Sequence, residues 1–191
     1  MKKIFMMLCV ALFAIGAQAQ DETKHEVGVF YGAGSASNIF SLITSSISAA
    51  AGDQGSFWGP IGVEYYYHLS PVVGLGAVAS YASCKVEDEK TRKEDLTESF
   101  ITVMPSVKFN WLRKKNFGMY SAISAGVMFL SISCNDNAKK SDPDAKDETL
   151  TTFIFQATAL GAEFGGEQFR GFAEIGVGEK GLLCAGLRYK F

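Results

Sequence analysis

After residue 20 this chain of 191 residues has no apolar run near the roughly 20 residues that a membrane-crossing helix needs. That excludes a helical membrane protein. It has no basic cluster either, and its formal charge is −2, which argues against nucleic acid as a partner. Of its four cysteines none forms a C-x-x-C pair, so a zinc site is not expected. Histidine is limited to His25 and His68, and neither has a serine placed for a hydrolase triad. Proline is scarce as well, at four.

What the chain does hold is glycine (20) and aromatics (15 Phe, 7 Tyr, 2 Trp), a composition that points to β-structure. Its start has the three parts of a secretory signal peptide: Lys2-Lys3, the short apolar run Ile4 to Ile15, and Ala17-Gln18-Ala19. Cleavage is expected after Ala19, dividing the chain into a leader at 1–19 and one domain at 20–191. Cys9 lies inside the apolar run, not at its exit, which speaks against a lipoprotein.

Alternation of apolar with small or polar residues recurs eight times, near 25–34, 57–68, 72–84, 98–111, 117–133, 149–164, 169–178 and 181–191. Apart from the last, the connections alternate long and short, as when odd connections emerge on one side of a membrane and even ones on the other. The expectation is an all-β fold: an eight-stranded antiparallel up-and-down transmembrane β-barrel, with the final strand pairing with the first. Ser37-Asn38 also suit the cap of a short helix with an Ile39, Ile43, Ile47 and Ala50 stripe, closed by Gly52. A β-extension is nearly as well supported there.

The two phases of each strand differ in chemistry. Ile101, Val103, Pro105, Val107, Phe109 and Trp111 share one phase of 98–111, while Thr102, Ser106, Lys108 and Asn110 share the other. The apolar phase is expected to face lipid, where a charge near the midplane costs about 2–4 kcal/mol. Glu64, Lys108, Glu174, Arg188 and Lys190 then fall in the lumen, with Glu163 and Arg170 as weaker members, and a salt-bridge network is expected of them rather than an ion pathway. Gln156 and Glu163 fall on opposite phases of one strand, which calls for a bulge between them. Tyr65, Tyr67, Phe109, Trp111, Tyr189 and Phe191 gather at the periplasmic strand ends as an aromatic belt. Tyr31, Trp58, Tyr81, Phe129 and Phe153 suit the opposite one.

Leader, eight amphipathic strands, long outer connections and the terminal Tyr189-Lys190-Phe191 resemble the small bacterial outer-membrane β-barrel proteins, OmpX-like or OmpA-transmembrane-domain-like. The resemblance is architectural and covers the whole mature chain. It implies residence in the bacterial outer membrane among lipid and lipopolysaccharide, and insertion by the outer-membrane barrel assembly machinery. No cofactor, metal site or catalytic residue comes with it, and no enzymatic activity is expected. The expected role is structural, adhesive or interactive through the outer connections, with a surface ligand unspecified. A narrow pore and a soluble lipocalin-like barrel stay open as alternatives.

Three motifs carry less than their letters suggest. Gly176 to Gly181 spells G-x-G-x-x-G, yet only a strand can follow it, so a tight hairpin is expected rather than a dinucleotide site. The acids at Asp136, Asp142, Asp144, Asp147 and Glu148 lack EF-hand spacing. Cys84 and Cys134 both fall at outer strand ends, so a disulfide between them stays open, with Cys184 left as a thiol.

Overall fold

The computed structural model describes residues 24–39, 54–87, 94–134 and 148–191. The expected leader and most of the three long connections lie outside the described residues. Eight strands form: β1 (His25–Ala33), β2 (Gln54–His68), β3 (Val73–Glu87), β4 (Glu94–Arg113), β5 (Phe117–Cys134), β6 (Glu148–Gly165), β7 (Phe169–Gly178) and β8 (Leu183–Lys190). Each pairs antiparallel with its sequence neighbour, and β8 pairs with β1 to close the barrel. The main chains of His25 and Phe191 exchange both hydrogen bonds at the seam, at 3.0 and 2.9 Å. Closure satisfies every edge that a lipid environment would leave unpaired.

Alternation decides which face of each strand is covered. In β1 the burial pattern alternates residue by residue from Glu26 to Ala33, with Glu26, Gly28, Phe30 and Gly32 inward. The outward phase is exposed and apolar: Val29, Val63, Ile101, Val103, Ile123, Ile175 and Leu187 among others. This is the reverse of a soluble barrel, which would bury its apolar phase and wet the other.

Irregularities sit where the sequence pattern slips. In β6, register shifts occur against both neighbours, between Tyr120 and Ala122 of β5 and between Thr158 and Leu160 of β6 itself. The extra residue at 159–160 turns Gln156, Thr158, Gly161 and Glu163 all inward. A second bulge in β2 lies between Trp58 and Ile61, where Gly59 has a φ of 105° and a Cβ would press on the Tyr81 carbonyl at 2.9 Å.

Three details differ from the sequence expectation. The first outer connection turns helical at 36–39, but the cap is Ser35. Its hydroxyl accepts from the Asn38 N–H at 3.1 Å and its carbonyl from the Ile39 N–H at 2.9 Å. The remainder of the expected helix, to Gly52, lies outside the described residues. Second, the lumen phase is not only small and polar. Phe30, Val78, Met104, Phe172 and Cys184 form one buried cluster, and Ala82, Cys84, Phe100, Met128 and Leu130 a second nearer the outer mouth, with Ile154 against both. A barrel of eight strands is just wide enough for side chains to fill, so bulky residues pack inward wherever charge is absent. Third, β8 begins at Leu183 rather than 181, because the turn at 179–182 dips into the lumen.

Candidate functional site

Nine buried charged side chains gather in the periplasmic half of the lumen around Arg188 of β8. The Arg188 Nε lies 2.5 Å from Glu64 Oε1 of β2 and 3.2 Å from Glu26 Oε1 of β1; its Nη2 lies 2.9 Å from Glu174 of β7, and its Nη1 3.5 Å from Glu163 of β6. Four carboxylates from four strands thus converge on one guanidinium, whose fixed fork presents five donors.

Four more bases surround these acids. Lys108 Nζ meets Glu26 at 2.6 Å, and Lys190 Nζ meets Glu163 at 2.5 Å and Glu26 at 3.5 Å. Lys180, reaching down from the β7–β8 turn, bridges Glu64 at 2.8 Å and Glu174 at 2.7 Å. Arg170 meets Glu163 at 2.9 Å and also donates to the Lys114, Lys115 and Gly166 carbonyls, joining two periplasmic turns. Neutral groups complete the shell. The Tyr120 hydroxyl donates to Glu174 at 2.6 Å, the Thr158 hydroxyl to the same carboxylate at 3.1 Å, and His68 Nε2 shares a bond with Glu26 at 3.2 Å.

Aromatic rings lie between the charges. The Arg188 guanidinium stands 3.7 Å from the centroid of Phe172 and 4.5 Å from that of Tyr120, and Lys108 Nζ is 4.1 Å from the Tyr120 centroid. Such stacking is attractive, the more so when desolvated. Glycines on adjacent strands make room for the rings. A Cβ at Gly161 would lie 2.3 Å from the Tyr120 ring, at Gly62 2.4 Å from Phe30, at Gly76 2.6 Å from Tyr66 and at Gly186 2.6 Å from Phe172. Glycine abundance and inward aromatics are therefore two sides of one packing arrangement.

All five expected lumen charges, Glu64, Lys108, Glu174, Arg188 and Lys190, lie in this cluster, as do Glu163 and Arg170. Glu26 was missed, although its phase in β1, shared with Gly28 and Phe30, was a usable signal. Lys180 was missed because a turn residue has no phase to read. His25 and His68 both lie at the periplasmic end. Nδ1 of His25 bonds the Tyr65 hydroxyl at 2.8 Å, and the ring stacks on Phe191 at 5.3 Å. Neither histidine is hydrogen-bonded to a serine among the described residues.

The other expected sites resolve as follows. Tyr65, Tyr67, Phe109, Trp111, Tyr189 and Phe191 all point outward and are exposed, as do Tyr31, Trp58, Tyr81, Phe129 and Phe153. The glycine motif is a strand, a turn and a strand, with positive φ at Gly178 (128°) and Gly181 (104°). Cys84 pairs in register with Glu98 of β4, and Cys134 with Leu96 of β4. Two interstrand spacings, roughly 9–10 Å, thus separate their backbones, against the roughly 7 Å limit for a disulfide.

A family profile described as the outer membrane protein β-barrel domain matches residues 5–167. None of the curated proteins matches the chain. Among solved structures, the outer membrane protein OprG from Pseudomonas aeruginosa is similar at a TM-score of 0.51 and 9% identity, over 89% of this chain and 97% of that one. Ail, the attachment invasion locus protein of Yersinia pestis, in complex with the heparin analogue sucrose octasulfate, is similar at a TM-score of 0.50 and 13% identity, over 90% and 100%. Those likenesses are of fold.

Proposed function

Because the chain belongs to the family of the outer membrane protein β-barrel domain, and so to the bacterial outer membrane, we propose that it is a closed, non-conducting barrel that presents its outer connections for contact at the cell surface. One observation carries this reading: the lumen is filled. Arg188, Lys108, Glu26, Glu64, Tyr66 and Tyr120 are buried in its periplasmic half, and two buried apolar clusters pack beside and above them. Permeation through such a lumen would require breaking several buried ion pairs at once, and each is costly to break.

In this reading the role falls to the outer connections within 35–56, 85–97 and 134–148. Residues 85–98 carry six acids and four bases, and 135–148 five and three. An acidic excess at the mouth disfavours a polyanionic partner such as the heparin analogue bound to Ail, and favours a neutral or cationic surface. Surrounding lipid and lipopolysaccharide, and the barrel assembly machinery during insertion, are the further partners of this reading.

The test is conductance of purified protein in a planar bilayer, run beside binding of cells that carry or lack the protein to host or bacterial surfaces. Silence in the bilayer with a binding difference between the cells is the expected result. Steady channels of uniform size would favour the narrow-pore alternative and overturn this one.

A further inference from the structure

The carboxylates of Glu26, Glu64, Glu163 and Glu174 each meet a lysine or arginine, whereas Glu179 meets none among the described residues. It lies in the β7–β8 turn, buried at 1% exposure. Ser37 donates to it twice, from its hydroxyl to Oε1 at 3.0 Å and from its N–H to Oε2 at 3.2 Å, and the Ser37 hydroxyl lies 2.9 Å from that of Ser35. From across the lumen the Thr102 hydroxyl faces the same carboxyl. Every group on it, among the described residues, is uncharged.

The turn itself is held firmly. Its Glu179 N–H donates to the Phe155 carbonyl at 3.1 Å, its Lys180 N–H to Gln156 Oε1 at 2.8 Å, and its Leu182 N–H to the Ala33 carbonyl at 2.9 Å. Glu179 is therefore the side chain by which a fixed turn grips residues 35–37, which lie 142 positions away in sequence at Ser37.

We propose that the Glu179 carboxyl is a clasp, closed when it carries a proton, that fastens the start of the first outer connection to the β7–β8 turn. A carboxylate out of water needs a cation or a proton, because desolvation penalises the bare charge. Among the described residues, the charged and titratable groups around it do not supply the cation. Lys180, beside it on the turn, is engaged by Glu64 of β2 and Glu174 of β7. Glu98 lies four residues from Thr102 along β4, Cys184 on β8 is a thiol, and the 35–37 segment offers only hydroxyls and main chain.

Burial pushes the Glu179 carboxyl above its usual range, with the Ser37 hydrogen bonds opposing the rise. The sign follows by linkage. A group whose pKa is raised in the closed state contributes fully below the ordinary glutamate value, and the contribution fades as pH rises through the raised one. Acid closes the clasp and neutral to alkaline conditions loosen it.

Hydrogen exchange of the Ser37 amide tests this, in protein reconstituted into lipid nanodiscs at pH 4 to 8 and corrected for intrinsic base-catalysed exchange. In the native protein, protection should fall with pH, by up to about tenfold per unit between the ordinary glutamate value and the raised one, and level off above it. Glu179→Gln, a neutral isostere, should stay protected throughout. Glu179→Ala should be unprotected throughout, with folding of each variant checked by heat-modifiable migration. Flat protection in the native protein, or a pH dependence retained by Glu179→Gln, overturns the proposal. So does protection at pH 7 that needs sodium or potassium rather than choline at equal ionic strength, since the carboxylate would then be holding a cation.

Discussion

Replacing Arg188 with methionine separates two accounts of the lumen. Around Arg188 stand four carboxylates, Glu26, Glu64, Glu163 and Glu174, and four other bases, Lys108, Lys180, Lys190 and Arg170. If charge count ruled, Arg188→Met would balance the cluster, taking five bases against four acids to four against four, and would be neutral or stabilising. If geometry rules, it removes the one group touching all four acids and leaves its share of their desolvation uncompensated. Removing one partner of a buried pair costs about 3–5 kcal/mol, roughly two to four powers of ten in the folding equilibrium. The assay is urea unfolding in lipid vesicles, followed by the fluorescence of Trp58 and Trp111, which are exposed on the outward phase. Adding Glu64→Gln should recover part of the loss, since the Arg188–Glu64 contact is the shortest in the cluster together with Lys190–Glu163. A coupling of about 1–3 kcal/mol is expected. A single variant within about 1 kcal/mol of the native protein would refute the geometric account.

Four further outcomes follow from the packing. Gly161→Ala should lower the unfolding free energy by about 1–3 kcal/mol, because Tyr120 is held by Glu174 and Arg188 and has no room to retreat. Gly166→Ala, whose nearest contact would be 3.7 Å away, should be neutral in the same titration. Val103→Arg, on the outward phase opposite Val127, should cost about 2–4 kcal/mol in a bilayer and reduce the yield of folded barrel in membranes, whereas a soluble barrel would tolerate it. Arg170→Ala should free the 114–116 turn that its guanidinium holds, seen as faster tryptic cleavage after Lys114 and Lys115 from the periplasmic side. Unchanged cleavage would show that the turns hold themselves.

Alternation alone placed all eight strands and their two faces, because the side-chain period of a strand is two and a barrel wall has one wet or packed side and one lipid side. The β6 bulge was legible as a conflict between Gln156 and Glu163, although its position at 159–160 required both neighbouring strands. Five of the lumen charges were readable from their phase, and Glu163 and Arg170 more weakly so. Glu26 was readable in the same way and overlooked.

What the sequence by itself determined was thus the architecture and the polarity of each strand face, since both follow from local periodicity. The tertiary structure alone decided which acid meets which base, that Arg188 is shared by four strands, and that Lys180 and Glu179 fold inward from a turn. Those facts depend on closing the sheet, which sets residues more than 100 positions apart, such as Glu64 and Arg188, within hydrogen-bond reach. It leaves them an interior just wide enough for side chains to fill.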